Sequence, residues 1–313
     1  MKKYFCAVSL LIISFGPQYL FGQADSLARV APKPVAALPD SALRNQIKQI
    51  AKPVKGIVGV SVLGIETRDT LTYNGYSRLV LQSVMKFPIA LAVLHLVDSG
   101  KLTLDMLVHI TKKDLRKNTY SPLRDKFPKG DIDVSVRDLL SYMVSQSDNN
   151  ACDILLGILG GTQPVQDYIA KVGVKGISVQ ASEADMATAW EVQYTDWAKP
   201  AAITKLLDLF YQDKTLSKTS TDFLYQLLTD TTTGPNRIRG LLPPGTIVAH
   251  KTGTSPTDED GLSPATNDAG IITLPNGKHF AVAIFVCNST ADEPTREGAI
   301  AKIAKAVYDY YSK

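Results

Sequence analysis

Ser83 and Lys86 stand three residues apart at the start of a strongly apolar run, Phe87 to Val97. A serine hydroxyl is a weak nucleophile until a neighbouring base takes its proton. Helical positions i and i+3 share a face, so this spacing brings the Lys86 amine close to the Ser83 hydroxyl. The first turn of a helix also offers free backbone N–H groups and partial positive charge, which hold an oxyanion. The chemistry such a pair supports is attack on a carbonyl through an acyl-serine. A serine cap followed by a solvated lysine gives the same four-residue pattern, so its weight depends on its company.

That company is two further motifs at domain-sized spacing. Ser147-Asp148-Asn149 falls on the turn between two expected helices. A hydroxyl there can pass a proton to a leaving nitrogen, and an amide can fix both a substrate carbonyl and a lysine. Lys251-Thr252-Gly253-Thr254 falls at the end of an expected strand. A lysine and two hydroxyls on a strand edge can hold an anionic, amide-like substrate, and Gly253 lets the backbone come close. Singly, each motif also reads as an ordinary polar turn or strand end.

In this order the three motifs form the set shared by serine β-lactamases and penicillin-binding proteins. The chain resembles class A β-lactamases over nearly all of residues 23–313. Thr233-Gly234-Pro235-Asn236-Arg237 and Val248 to Ser255 support the likeness, and Thr266-Asn267-Asp268-Ala269-Gly270 places it nearest the extended-spectrum branch found in Bacteroidetes and some other Gram-negatives. The resemblance implies that Ser83 is acylated with Lys86 as its proton-transfer partner. Ser147 would relay a proton to the lactam nitrogen, and Asn149 would hold the substrate's side-chain amide. Lys251, Thr252, Gly253 and Thr254 would line the substrate, with the N–H groups of Ser83 and Thr254 as the oxyanion hole. Arg237 would help bind the substrate carboxylate, although a solvated surface charge is an equal reading; Tyr120 would form a wall of the cleft. No metal or organic cofactor is implied.

Glu183 separates hydrolysis from trapping. Penicillin-binding peptidases share the three motifs but stay acylated, because nothing activates water against the ester. Glu183, 34 residues after Asn149, stands where the resemblance places the base for deacylation. Two routes for the acylation proton stay open, Lys86 directly or Glu183 through a water. The stretch also departs from the family: Ala187 replaces the usual Asn four residues after the glutamate, and Ala181 replaces the usual Arg two residues before it, while Asp196 keeps that arginine's acidic partner. The water must be held differently, and the loop must close by another contact. The expected function is hydrolysis of penicillins and cephalosporins; a D-alanyl-D-alanine peptidase and a membrane-tied β-lactam receptor that does not turn over are the alternatives.

The elements that position these residues follow from pattern. The 313 residues, 45% hydrophobic and 20% charged, describe an ordinary globular protein. Residues 1–22 read as a secretory signal with Lys2 and Lys3 ahead of an apolar core, so a periplasmic protein is expected. Their removal takes two lysines and no acid, lowering the formal charge from +4 to +2. That is too weak a bias for nucleic acid or an anionic membrane as partner. A monomer acting on a small molecule is expected. Residues 23–38 read as a leader. Cys152 and Cys287 lie in apolar stretches suited to free thiols, though an oxidising compartment permits a bridge.

Strands are expected at Ile57–Leu63, Thr70–Tyr73, Thr246–Lys251, Asp268–Leu274 and His279–Cys287, the last two joined by a turn at Pro275-Asn276-Gly277-Lys278. Between about residues 100 and 235 the signals are helical. The expectation is an α/β (α+β) fold: an antiparallel sheet flanked by helices, built from residues 23–77 and 235–313. An all-α domain, residues 78–234, is inserted, with the active site at the junction.

Overall fold

Strands whose apolar residues occupy both alternating sets must be covered on both faces, and the C-terminal hairpin of this chain is of that kind. The computed structural model describes residues 41–313; the signal, the leader and Cys6 lie outside the described residues. In chain order, helix α1 (Ser41–Ala51) precedes strands β1 (Ile57–Gly64) and β2 (Thr70–Tyr73). Strand β3 (Leu79–Val80) leads into a 3-10 turn, Gln82–Met85, and then α2 (Lys86–Asp98). The middle holds β4 (Leu107–Ile110), α3 (Pro122–Lys126), β5 (Ile132–Ser135), α4 (Val136–Ser145), α5 (Asn149–Leu159) and α6 (Gln163–Lys171). It continues through β6 (Ile177–Ser178), α7 (Glu183–Met186), β7 (Trp197–Ala198), α8 (Pro200–Tyr211) and α9 (Lys218–Thr229). Last come β8 (Val248–Thr254), β9 (Ser263–Thr273), β10 (His279–Ser289) and α10 (Glu293–Tyr311).

The main sheet is antiparallel in the order β2-β1-β10-β9-β8, so strands from both ends of the described chain pair at its centre. Phe280, Val282, Ile284 and Val286 of β10 pack with Ile47 of α1 and Ile300, Ile303 and Val307 of α10. Ala281, Ala283, Phe285 and Cys287 belong instead to the core formed with α2, α4, α5 and α8. Each buried Leu, Ile, Val or Phe contributes about 1.5–3 kcal/mol by leaving water. Helix α2 is apolar all round and buried from Lys86 to Leu94, so it runs through the helical core rather than over it.

Local signals place most of the ends. Ser135 caps α4 by accepting the Asp138 N–H, and left-handed Gly160 stops α5. Gly277, at φ 76°, turns the β9–β10 hairpin. The stretch 78–234 differs from the all-helical expectation, because β3 to β7 lie within it as two small sheets, β3-β7-β6 and β4-β5. Segments of two to four residues are too short to show an alternating pattern. Strand β8 runs on to Thr254 rather than ending at Lys251, and β9 starts at Ser263 rather than Asp268. These extensions are largely polar and, Thr254 apart, buried, which hid them from a reading based on apolar residues. Cys152 and Cys287 are both free and buried, the latter with its thiol pushed up to about 12 by burial.

Asn267 of β9, fully buried, donates from Nδ2 to the carbonyls of Val80 at 2.6 Å and Leu81 at 3.2 Å. It thereby ties the sheet to the segment that enters the Ser83 turn. Asn267→Ala leaves two buried carbonyls short of a donor and is expected to cost about 1–3 kcal/mol in urea unfolding; an unchanged midpoint would refute this role.

Candidate active site

Lys86 is the first residue of α2 and has no solvent exposure. Its Nζ donates to Ser83 Oγ at 3.0 Å, to the Ser147 carbonyl at 2.8 Å and to Asn149 Oδ1 at 2.5 Å. An ammonium has three N–H groups, and these contacts use all three. Glu183 Oε1 lies 2.9 Å from the same nitrogen. It is not aligned as a hydrogen-bond acceptor there, and that oxygen is buried without a hydrogen-bond donor. The pair meets as charge against charge.

Ser147 takes a left-handed φ of 61°, which turns its carbonyl to Lys86 and its hydroxyl to Lys251. Lys251 Nζ donates to Ser147 Oγ at 2.8 Å and to the Thr252 carbonyl at 3.0 Å. Burial first, and then the neighbouring Lys86 charge, hold the Lys251 amine well below the ordinary lysine range. Asp148, between Ser147 and Asn149, is structural. It caps α5 through the Ala151 N–H and holds the start of α3 through Ser121 Oγ and the Leu123 N–H. Asn149 Nδ2 donates to Thr119 Oγ1 at 2.7 Å, and the Asn149 N–H bonds the Tyr120 carbonyl at 3.0 Å. The Tyr120 ring side of the cleft is thus tied to the second motif.

A cleft of about 450 Å³ opens over these groups, lined by Ser83, Tyr120, Ser147, Asn149, Glu183 and Thr254 among others. Thr252 Oγ1 meets Thr233 Oγ1 at 2.6 Å along its wall. Thr233, Gly234 and Gln82 also line it, and no role for them was legible beforehand. Gly253 has a reason other than closeness to substrate. A Cβ there would sit 2.5 Å from the Leu81 carbonyl and 3.2 Å from the Ser83 nitrogen. Only glycine lets β8 lie this close to the nucleophile turn.

Arg237 is not a solvated surface charge. It is 3% exposed, paired with Glu297 at 2.9 Å, and donates to the carbonyls of Gly253 and Asn267 and to Thr254 Oγ1 at 2.7 Å. It stands behind Thr254 and braces the end of β8.

The Glu183 loop closes by the other contact that its sequence demanded. Asp196 Oδ1 accepts the N–H groups of Gln180 at 2.6 Å and Ala181 at 3.0 Å, so a carboxylate grips backbone where the family uses an arginine. Ser182 and Asp185 form a reciprocal capping box at the start of α7, and Asp153 Oδ1 accepts the Glu183 N–H at 2.9 Å. Ala187, at the end of α7, is exposed. Burial raises both Asp153 and Asp196 to about 6, against the pull of Arg116 on the first and of the two N–H donors on the second.

A buried ammonium with a hydroxyl on one side and a carboxylate on the other is an arrangement able to move protons in acyl transfer. Comparison with known proteins narrows the class: the beta-lactamase enzyme family matches residues 42–311, and the chain belongs to it. It is 43% identical over 271 residues to β-lactamase VEB-1 of Pseudomonas aeruginosa, covering 86% of this chain and 90% of that one. Extended-spectrum β-lactamase PER-1 of the same organism is 41% identical, covering 100% and 96%. A solved class A β-lactamase from Bacteroides cellulosilyticus superposes with a TM-score of 0.83 at 38% identity, over 86% of this chain and 97% of its own. The fold is that of the class A β-lactamases.

Gly253→Ala is expected to lower stability by about 1–3 kcal/mol through overpacking and to reduce kcat/KM more than about tenfold, a part of the roughly 10²–10³ that losing an oxyanion donor outright costs; thermal melts beside steady-state kinetics check both. Asp196 predicts an inverted pH dependence. A carboxyl at about 6 when folded and at its ordinary 3.8 when unfolded binds its proton more tightly in the native state. Its contribution is therefore gained as pH falls through that window and lost as pH rises. Asp196→Asn should then melt above the parent at pH 7.5, with the gap closing toward pH 4; a gap that widens on acidification would refute it.

Proposed function

We propose that Ser83 is the nucleophile that opens the β-lactam ring and that Glu183 activates the water that releases the acyl group. What carries this reading is the buried Lys86–Glu183 pair, within reach of the Ser83 hydroxyl. The substrate carboxylate sits against Lys251, Thr252 and Thr254, and its charge restores the proton affinity that burial takes from Lys251. The lactam oxygen lies between the N–H groups of Ser83 and Thr254. Ser83 Oγ bonds to the carbonyl carbon, and its proton passes to the Lys86–Glu183 pair. The C–N bond breaks, the nitrogen takes the Ser147 hydroxyl proton, and the Lys86–Glu183 pair gives back the proton it took from Ser83 to restore that hydroxyl, which leaves Glu183 ionised. Glu183 then takes a proton from water as its oxygen adds to the ester, and Ser83 leaves with a proton. Each transfer is closed by a side chain of this protein.

Asn149 orients the substrate's side-chain amide, Tyr120 walls the cleft, and Arg237 acts through Thr254. Penicillins and cephalosporins are the substrates. The Thr254 hydroxyl on the strand edge and the relative named for an extended spectrum support good activity on cephalosporins. The protein works as an exported, periplasmic monomer; among the described residues no helix is long and apolar enough to cross a membrane.

Glu183→Gln is expected to slow deacylation by about 10²–10⁴-fold, so intact mass during hydrolysis of a chromogenic cephalosporin shows an adduct on Ser83. The parent should turn over with no such accumulation, and Ser83→Ala should form no adduct. A stable adduct on the parent would instead mean a penicillin-binding peptidase or receptor.

A further inference from the structure

We infer that Gln193 is a positioning residue for the oxyanion hole, an inference that rests on reading the Ser83 and Thr254 N–H groups as its donors. Gln193 belongs to the 3-10 segment Trp190–Thr195 and is 5% exposed. Its Oε1 accepts from Gln82 Nε2 at 2.8 Å and from Ser255 Oγ at 2.8 Å. Its Nε2 donates to the Trp190 carbonyl at 2.8 Å, an atom that can only accept, which fixes the orientation of the amide.

The partners are what give this residue its meaning. Gln82 directly precedes Ser83, and Ser255 directly follows Thr254. One amide oxygen therefore joins the two residues that flank the two donors. Gln82 needs such a hold, because its φ of 48° lies in the left-handed region that side chains disfavour. On the strand side, the Ser255 N–H is fixed to the Ala265 carbonyl at 2.8 Å.

Between the flanking residues, Gly253 rests against the Leu81 carbonyl and the Ser83 nitrogen. Gly253 limits how closely the strand and the turn approach, and Gln193 limits how far they part. An oxyanion hole works only while both donors stay within about 2.7–3.1 Å of the developing charge. Gln193 touches neither donor and acts through its neighbours.

The role predicts which steps suffer. Both acylation and deacylation pass through a tetrahedral oxyanion, so a loosened hole slows both. A misplaced Glu183, on the same loop, slows deacylation and, as part of the pair that receives the Ser83 proton, acylation too, but it leaves the boronate's hold on the two N–H donors unchanged. The test uses the full mature chain with Gln193→Met, which keeps length and loses both polar ends, and Ser255→Ala, which removes one arm only. Single-turnover acylation, deacylation and inhibition by phenylboronic acid, which forms a tetrahedral adduct on the serine, are measured with melting temperature. Gln193→Met should slow both steps about tenfold, part of what losing a donor outright costs, and weaken the boronate in the same proportion. Ser255→Ala should do so more mildly, and it carries the test if Gln193→Met does not fold. Slowed steps with boronate inhibition unchanged would overturn the inference in favour of a role in placing Glu183, as would acyl-enzyme accumulation with acylation unchanged, and lowered melting with unchanged rates would leave only a structural one. Failure of the parent itself to form an acyl-serine would strike the underlying reading instead.

Discussion

A lysine ammonium with no exposure to water is the constraint around which this molecule is arranged. Burying such a charge costs several kcal/mol unless its donors and its charge are met. Lys86 is met by four groups from four places: Ser83 in its own turn, the Ser147 carbonyl before α5, Asn149 in α5, and Glu183 at the start of α7. None of these segments can drift without leaving a buried charge short of a partner. The demand that Lys86 be satisfied therefore assembles the cleft. The core behind it, with α2 running through its middle, holds the lysine where it cannot escape to solvent.

Lys251 makes the arrangement tense rather than merely satisfied. Two buried amines share one serine, with Lys86 on its carbonyl and Lys251 on its hydroxyl. Like charges so placed lower the proton affinity of the less compensated one, and that is Lys251, which has no carboxylate in direct contact among the described residues. On the proposed function, a substrate that brings a carboxylate relieves this strain on arrival. Recognition of an anion and readiness of the proton relay are thus one electrostatic fact seen from two sides.

The sequence made the local part of this legible and the distant part obscure. The apolar run of β10 and the Pro275-Asn276-Gly277-Lys278 turn are short-range patterns, and each appears where the sequence puts it. The three motifs were legible because their chemistry needs particular residue types at fixed spacing. Gly253 was readable as a close approach, but not that the approach is to Ser83 rather than to substrate. Arg237 was ambiguous because its partners, Glu297 and Thr254, lie 60 and 17 residues away. Gln82, Gln193 and Ser255 carry no local signal: a glutamine in a loop is commonplace until tertiary contact joins it to two others. The replacement of the loop's arginine did announce that something else must close it, and Asp196 with backbone donors is that closure.

Disfavoured conformations and orphaned atoms occur in several parts of the described residues, Lys55, Asp131, Thr215 and Tyr311 among them, and some of them fall at the cleft. Gln82 and Ser147 take left-handed angles, and Glu183 Oε1 and Asp196 Oδ2 are buried without hydrogen-bond partners. All four lie in the Ser83 turn, the second motif or the Glu183 loop. Each feature costs stability, on the order of 1–3 kcal/mol, and persists only where surrounding structure over-determines it. Here the surroundings are two apolar cores on either face of a sheet whose central strand is buried along nearly its whole length. The unpartnered Glu183 oxygen shows what such strain achieves. A carboxylate whose lone pairs were all engaged by the protein would be a poor base, whereas this one meets Lys86 as a charge and keeps an acceptor site unused. On the proposed function, the same lack that makes the loop a weak point of the fold is what suits its glutamate to take a proton from water.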